Sequence, residues 1–147
     1  MTRLWQYAPP VSAPVSTRLG ALRRTFYDEA LDFVSARGRL VRVATYVATD
    51  PAVSAEPQHD ALTTYAEQVM GWRLGAQRFT DHVRRDEHAC TRPELSRACQ
   101  YAGTGRVDGI LTAGRASLPS DDVYEVYLRW LHDRLAFIAF SQISSSP

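Results

Sequence analysis

From residue 40 onward the sequence alternates short apolar runs with longer segments of helical period, and this alternation restricts the chain to one fold class. "LVRVATYVA" (40–48), "RLGAQRF" (73–79), "VDGILTAG" (107–114) and "LAFIAFS" (135–141) read as strands. Between them "QHDALTTYAEQVMGW" (58–72), "RPELSRACQYAG" (92–103) and "SDDVYEVYLRWLHDR" (120–134) read as helices. In the first of these helices Leu62, Tyr65, Ala66 and Val69 share an inward face. Pro93 suits a first helical turn, and the acids that open the last helix suit its dipole. Strands joined through helices pair in parallel, because a crossover needs more chain than a hairpin turn. The expected fold is therefore α/β: a three-layer α/β/α sandwich with a mostly parallel sheet of four strands.

Ahead of this unit lies a further helix. In "STRLGALRRTFYDEALDFVSARGR", Leu19, Leu22, Phe26, Ala30 and Phe33 form one apolar stripe. Ser16 or Thr17 is expected to cap its start and Gly38 to end it. Residues 1–16 hold Pro9, Pro10 and Pro14 and read as an extended arm, with Trp5 and Tyr7 available to clip onto a surface. The expected organisation is an arm at 1–16, an N-terminal helix at 17–38, the α/β domain at 39–142 and a tail at 143–147.

Composition excludes several classes. The chain has 147 residues, suiting one domain, and a formal net charge of +1, which creates no global field toward nucleic acid or membrane. All 17 basic residues are Arg, and Lys and Asn are absent. Arg84, Arg85, Arg92, Arg97 and Arg106 lie in the middle third, but Asp81, Asp86, Glu87, Glu94 and Asp108 interleave with them. That mixture argues against a strong phosphate stripe. Two cysteines, Cys90 and Cys99, are too few for a disulfide framework. No run approaches the ~18 apolar residues of a membrane span, and the start has no signal-peptide core. A cytoplasmic protein with no membrane partner is expected.

Few residues combine into chemistry. His82, Asp86, Glu87, His88 and Cys90 share a polar loop at 80–91, but their spacing fits no zinc pattern, so no metal and no cofactor are expected. His59 and Asp60 are expected to cap a helix and face solvent, and His132 to complement a helix C-terminus. Thr49 and Ser54 have no evident base to activate them. Asp50 and Asp81 are candidates for a carboxylate pair. The helix at 120–134 is apolar nearly all round, which makes Tyr124, Tyr127 and Trp130, with Leu22, Phe26 and Phe33 of the N-terminal helix, candidates for self-association.

Four stretches carry a family resemblance. "LVRVATYVATD" resembles an opening strand that ends in a Tyr-Ala-Arg-Val-Ser-Thr-Asp run. "SAEPQ" (54–58) resembles the Ser-Leu-Glu-x-Gln start of a first helix. "RPEL" (92–95) resembles an Arg-Pro-Gly-Leu helix start, and "GRVDGILTAGRASL" (105–118) resembles a Gly-x-Val-Asp strand leading into Lys-Leu-Asp-Arg-Leu-x-Arg. Together, from about 40 to 141, they resemble the catalytic domain of serine recombinases, the resolvase–invertase family.

In that family a serine attacks a DNA phosphodiester and arginines stabilise the charged transition state. Here the reactive positions are replaced. In the gap-free register the family's nucleophilic serine falls on Ala48, its arginine on Tyr46 and its tyrosine on Ala44. In a register two residues shorter, Tyr46 keeps the tyrosine role, and Ala48 and Asp50 take the arginine and serine positions. The later Asp-Arg-Leu-x-Arg run lands on Ala116, Ser117, Leu118, Pro119 and Ser120, while a shorter register places Arg115 at one arginine position.

The resemblance therefore implies a vestigial pocket of Tyr46, Ala48, Thr49, Asp50, Gln58, Asp81, Arg92, Arg115 and Ser117, with no catalytic residue. Family members continue into a long subunit-pairing helix where this sequence reads "FSQISSSP", and the helix at 17–37 is expected to cover that place. The expected function is that of an inactive serine-recombinase-like module acting by protein contact, as a homodimer with a further protein partner. The alternative is a DNA-associated accessory factor with weak phosphate binding. A working enzyme with a relocated nucleophile, Thr49, is the least favoured.

Overall fold

A computed structural model describes residues 14–84 and 92–142. The chain order is helix α1 (Val15–Ala36), strand β1 (Arg42–Thr49), helix α2 (Glu56–Thr64) prolonged by a π-helical stretch (Tyr65–Met70), strand β2 (Arg73–His82), helix α3 (Pro93–Gly103), strand β3 (Gly109–Thr112), a 3₁₀ turn (Arg115–Ser117), helix α4 (Asp121–His132) and strand β4 (Phe137–Phe140). The four strands form one sheet in the order β2-β1-β3-β4, and every pairing is parallel. The expected α/β class and strand count hold.

Side-chain alternation along the strands builds two cores. Ala44, Tyr46, Phe79, Ile110 and Ile138 face one side and pack with Leu95, Ala98 and Cys99 of α3 and Tyr124, Leu128 and Leu131 of α4. Val43, Val47, Leu111, Phe137 and Ala139 face the other and pack with Leu62, Ala66 and Trp72 from the α2 side. β1 sits between neighbours with helices over both faces, which is why its central residues are all buried.

α1 solves a different problem. β4 is an edge strand, and an edge leaves backbone groups unpaired. α1 packs along β4 and α4, contributing Leu19 and Phe26 to the first core and Ala30 to the second. From its middle turn Arg23 donates Nη1–H to the Ile138 carbonyl at 3.2 Å and lays its guanidinium over the Phe140 ring, 4.3 Å from the centroid. Burial lowers the Arg23 pKa, an effect that nearby Tyr124 partly opposes. The Phe26 ring stacks on His132 at 3.8 Å, and His132 Nε2 lies 2.9 Å from Glu29. Truncating Phe26 would cost about 3–5 kcal/mol through the cavity left behind.

Several boundaries differ from expectation. α1 begins at Val15 with Pro14 at its N-cap and no side-chain cap, so Ser16 and Thr17 lie inside the helix. The Pro14 ring and its fixed backbone angle start the helix without needing their hydroxyls. Gly38 does take up the left-handed conformation, φ 67°, just past the helix end. β2 runs on through Thr80, Asp81 and His82, residues expected in a loop, because Asp81 faces a buried polar cluster rather than solvent. Residues 85–91 of that loop, with Asp86, Glu87, His88 and Cys90, lie outside the described residues, as do most of the arm and the whole tail. No helix is long and apolar enough to cross a membrane among the described residues.

Candidate functional site

Because all four strands run the same way, their C-terminal ends open on one surface. The chain passes from β1 to β2 on one side, then crosses to β3 on the other, so the strand order reverses between β1 and β3. Ligand crevices in open α/β sheets form at such a reversal. Two clefts lie at this end. One, of about 660 Å³, is lined by Ala48, Thr49, Asp50, Val53, Val83, Arg84, Arg92 and Ala116. The other, of about 240 Å³, is lined by Tyr46, Val47, Gln58, Ala61, Leu62, Ala113, Ser117, Ser141 and Gln142.

A buried polar cluster stands between the two clefts. The Tyr46 hydroxyl donates to Asp81 Oδ2 at 2.8 Å and accepts from Arg92 Nη1 at 3.1 Å. Arg92 Nη1 also reaches the Ser117 carbonyl at 2.9 Å. Asp81 accepts the backbone N–H groups of Glu94 and Leu95, both at 3.0 Å. Those N–H groups open α3 and have no partner within the helix, so a carboxylate from β2 caps the helix packed over it. Burial pushes the Tyr46 phenol well above its ordinary range; Arg92 pulls against the rise and Asp81 adds to it. The phenol therefore stays protonated at neutral pH and serves as a donor. Arg92 Nε is buried without a partner, on a guanidinium that also lines the larger cleft.

The rest of the expected pocket divides. Ala48 is partly buried on the core and, with Thr49 and Asp50, lines the larger cleft at the tip of β1. Thr49 Oγ1 accepts from Gln58 Nε2 at 3.2 Å, and no histidine or carboxylate contact accompanies that hydroxyl among the described residues. Asp50 accepts from the Ala52 N–H at 2.8 Å, a turn contact. Asp50 and Asp81 thus serve separate backbone groups, and the candidate carboxylate pair is not formed by hydrogen bonding. Arg115 turns away from both clefts: it pairs with Asp121 at 2.6 Å and lies 4.4 Å over the Tyr124 ring. Among the described residues no cluster of three metal-ligating side chains occurs.

Two of the self-association candidates, Phe26 and Tyr124, are buried in the chain's own core, a correction that follows from α1 and α4 packing on each other at the β4 edge. Leu22, Tyr127 and Trp130 are partly buried against the same core, and Phe33 lies under the Arg37 guanidinium at 3.7 Å. Burial pushes the Tyr124 phenol up to about 12. The Cys99 thiol is likewise pushed up to about 12 by burial, so it is inert.

His59 corrects a second expectation. It is 1% exposed, and its Nδ1 and Nε2 each lie 2.8 Å from a threonine hydroxyl, Thr45 on β1 and Thr80 on β2. Burial, and then the Arg78 charge, lower its pKa, so the ring is neutral. A neutral imidazole offers one donor and one acceptor, which the two hydroxyls satisfy. The threonine inside the apolar run "VATYV" was the available signal: a buried strand hydroxyl needs a partner.

No protein-family model and no curated protein matches this chain. Among solved structures, the chain is similar to the first open reading frame of transposon ISC1904 from Sulfolobus solfataricus P2, with 17% identity, 71% of each chain covered and a TM-score of 0.46.

Proposed function

We propose that this chain is a catalytically silent domain of the serine-recombinase type that works by protein contact, as a homodimer with a further protein partner. The observation that carries the reading is the fate of the polar groups at the β1 tip. Tyr46 and Asp81 hydrogen-bond each other and Asp81 holds backbone N–H groups, while alanine stands at position 48, facing the cleft. A phosphoryl-transfer site needs a nucleophile and several unencumbered cations around the phosphate. Here Arg115 is paired with Asp121, and one Arg92 nitrogen is committed to Tyr46 and Ser117.

A second reading has its own support. Arg92 and Arg84 line one cleft together, which suits weak phosphate binding in a DNA-associated factor. One experiment separates the readings: light-scattering mass over a range of protein concentrations, with and without duplex DNA at low and moderate salt, followed by denaturing electrophoresis. A concentration-stable dimer indifferent to DNA is the expected result. DNA binding that falls steeply with salt supports the second reading. A covalent DNA adduct, lost on Thr49→Ala, would overturn both.

A further inference from the structure

The smaller cleft differs in kind from the larger one. Among the described residues no charged side chain lines it. Its polar side chains are two carboxamides, Gln58 and Gln142, and two serine hydroxyls, Ser117 and Ser141; Tyr46 also lines it, but its phenol is committed to Asp81 and Arg92. Its floor is apolar: Val47, Ala61, Leu62 and Ala113. At about 240 Å³ it lies just below the range of about 300–1,000 Å³ for drug-sized ligands, so it has room for one planar ring system.

The polar groups are held in place. Gln58 Nε2 is tied to Thr49 Oγ1 at 3.2 Å, which leaves its carbonyl oxygen to accept from a ligand. Ser117 is anchored through its backbone carbonyl by Arg92. Gln142 is positioned by its own N–H, which donates to the Ala113 carbonyl, and its side chain lies across Gly114. A Cβ at Gly114 would stand 3.0 Å from Gln142 Oε1, so the absent side chain gives the carboxamide its place. The cleft also sits where the strand order reverses, between β1 and β3.

Carboxamides present a donor and an acceptor side by side, and hydroxyls do both. A ligand that matches them is neutral and flat, with alternating donors and acceptors on its edge. We infer that this cleft binds a nucleobase, as a free nucleoside or nucleotide. The two ligand forms differ only in a phosphate, for which the Arg92 side of the polar cluster is the neighbouring cation. The cleft offers these contacts whether or not the domain has lost strand-transfer chemistry.

The test is saturation-transfer NMR and calorimetry on the full chain with adenosine, guanosine, cytidine and uridine, their 5′-monophosphates, ribose and inorganic phosphate. Circular dichroism and the thermal midpoint check that each variant folds. Transfer to the base protons of at least one nucleoside is expected, with none to ribose. Gln58→Met and Ser117→Ala should each weaken that binding about tenfold, the equivalent of one hydrogen bond. Ala113→Leu, which fills the floor, should abolish it. A monophosphate that binds more tightly than its nucleoside, with the gain lost at high salt, would identify the nucleotide as the ligand. Absence of transfer to every nucleoside and monophosphate at millimolar concentration overturns the inference. So does binding that Ala113→Leu leaves intact, or binding of inorganic phosphate that accounts for all the monophosphate affinity. Covalent DNA capture, the result that would sink the proposed function, leaves these readouts unaffected.

Discussion

Asp81, at the end of β2, caps α3 while accepting the Tyr46 hydroxyl from β1, so one carboxylate joins two strands to the helix over them. The carboxylate is 5% exposed, and three hydrogen bonds replace the water it has lost. Asp81→Ala leaves two helix N–H groups and the phenol O–H without an acceptor. The expected loss is about 1.5–3 kcal/mol, the range for hydrogen bonds to a charged group. Tyr46→Phe should cost about 1 kcal/mol. Urea denaturation of both single variants and the double variant checks this: the pair must couple, and strictly additive losses would refute the shared cluster.

His59 predicts a pH dependence. Its folded pKa is lowered, by burial first and by Arg78 second. The unfolded chain therefore takes up the proton more readily. The stability that neutral His59 contributes is complete above the ordinary histidine value of about 6.5, and it is lost as pH falls from there through the lower folded value. Urea midpoints measured between about pH 7.5 and 5 should fall in the wild type and fall less in His59→Gln. An identical slope in the two proteins would exclude His59 as the source.

Asp108 predicts a second, lower pH window. It immediately precedes β3, at the end of the sheet away from the clefts, and receives the Arg39 guanidinium fork at 2.6 and 2.7 Å and the Arg42 N–H at 2.9 Å. Burial works to raise its pKa, but the Arg39 fork and the Arg42 N–H outweigh it and hold the carboxyl below its usual value. Its stabilising contribution is therefore complete above the ordinary aspartate value of about 3.9 and lost as pH falls through the lower folded value. Asp108→Asn should cost about 1.5–3 kcal/mol at neutral pH, and the gap to wild type should close in acid. A gap that stays constant down to about pH 2 would contradict the ion-pair account.

Gly109 predicts a steric cost. It is the parallel partner of Phe137, and a Cβ built on it would stand 2.4 Å from the Phe137 ring. Gly109→Ala must push that ring off its place in the second core and should cost about 1–3 kcal/mol. Pairing it with Phe137→Leu, which clears the ring, should make the alanine cheaper. Thermal melts of the four proteins measure the difference.

Element type was legible in local pattern, but burial face only in part: Val69, expected on the inward face of α2, is 66% exposed, in the π-helical stretch that prolongs the helix. The apolar runs at β1, β3 and β4 and the helical stripes of α1 and α2 are readable because each repeats within a few residues. The candidate site was only partly legible. Tyr46, Asp81, Arg92 and Ser117 do meet, although Ser117 takes part through its carbonyl oxygen. Arg115 belonged to the expected pocket yet pairs with Asp121, six residues on, because the 3₁₀ turn aims it at the start of α4. The end of β2 is not legible locally, because a run of charged and polar residues has the pattern of a solvent-facing loop. Asp81 is buried, and its partners at positions 46, 94 and 95 sit on other elements.

The sequence by itself determined an α/β chain with alternating elements and an N-terminal apolar helix. Those properties come from periodicities of two and 3.6 residues, which need no knowledge of neighbours. Only the tertiary structure decided the order β2-β1-β3-β4, the placing of α1 along the β4 edge, the burial of His59 between Thr45 and Thr80, and the neutral cleft at the strand reversal. Each of these joins residues that are distant in the chain. Which distant groups meet is set by strand register and by the crossover each helix takes, and a polar residue counts as buried only once its partner has arrived.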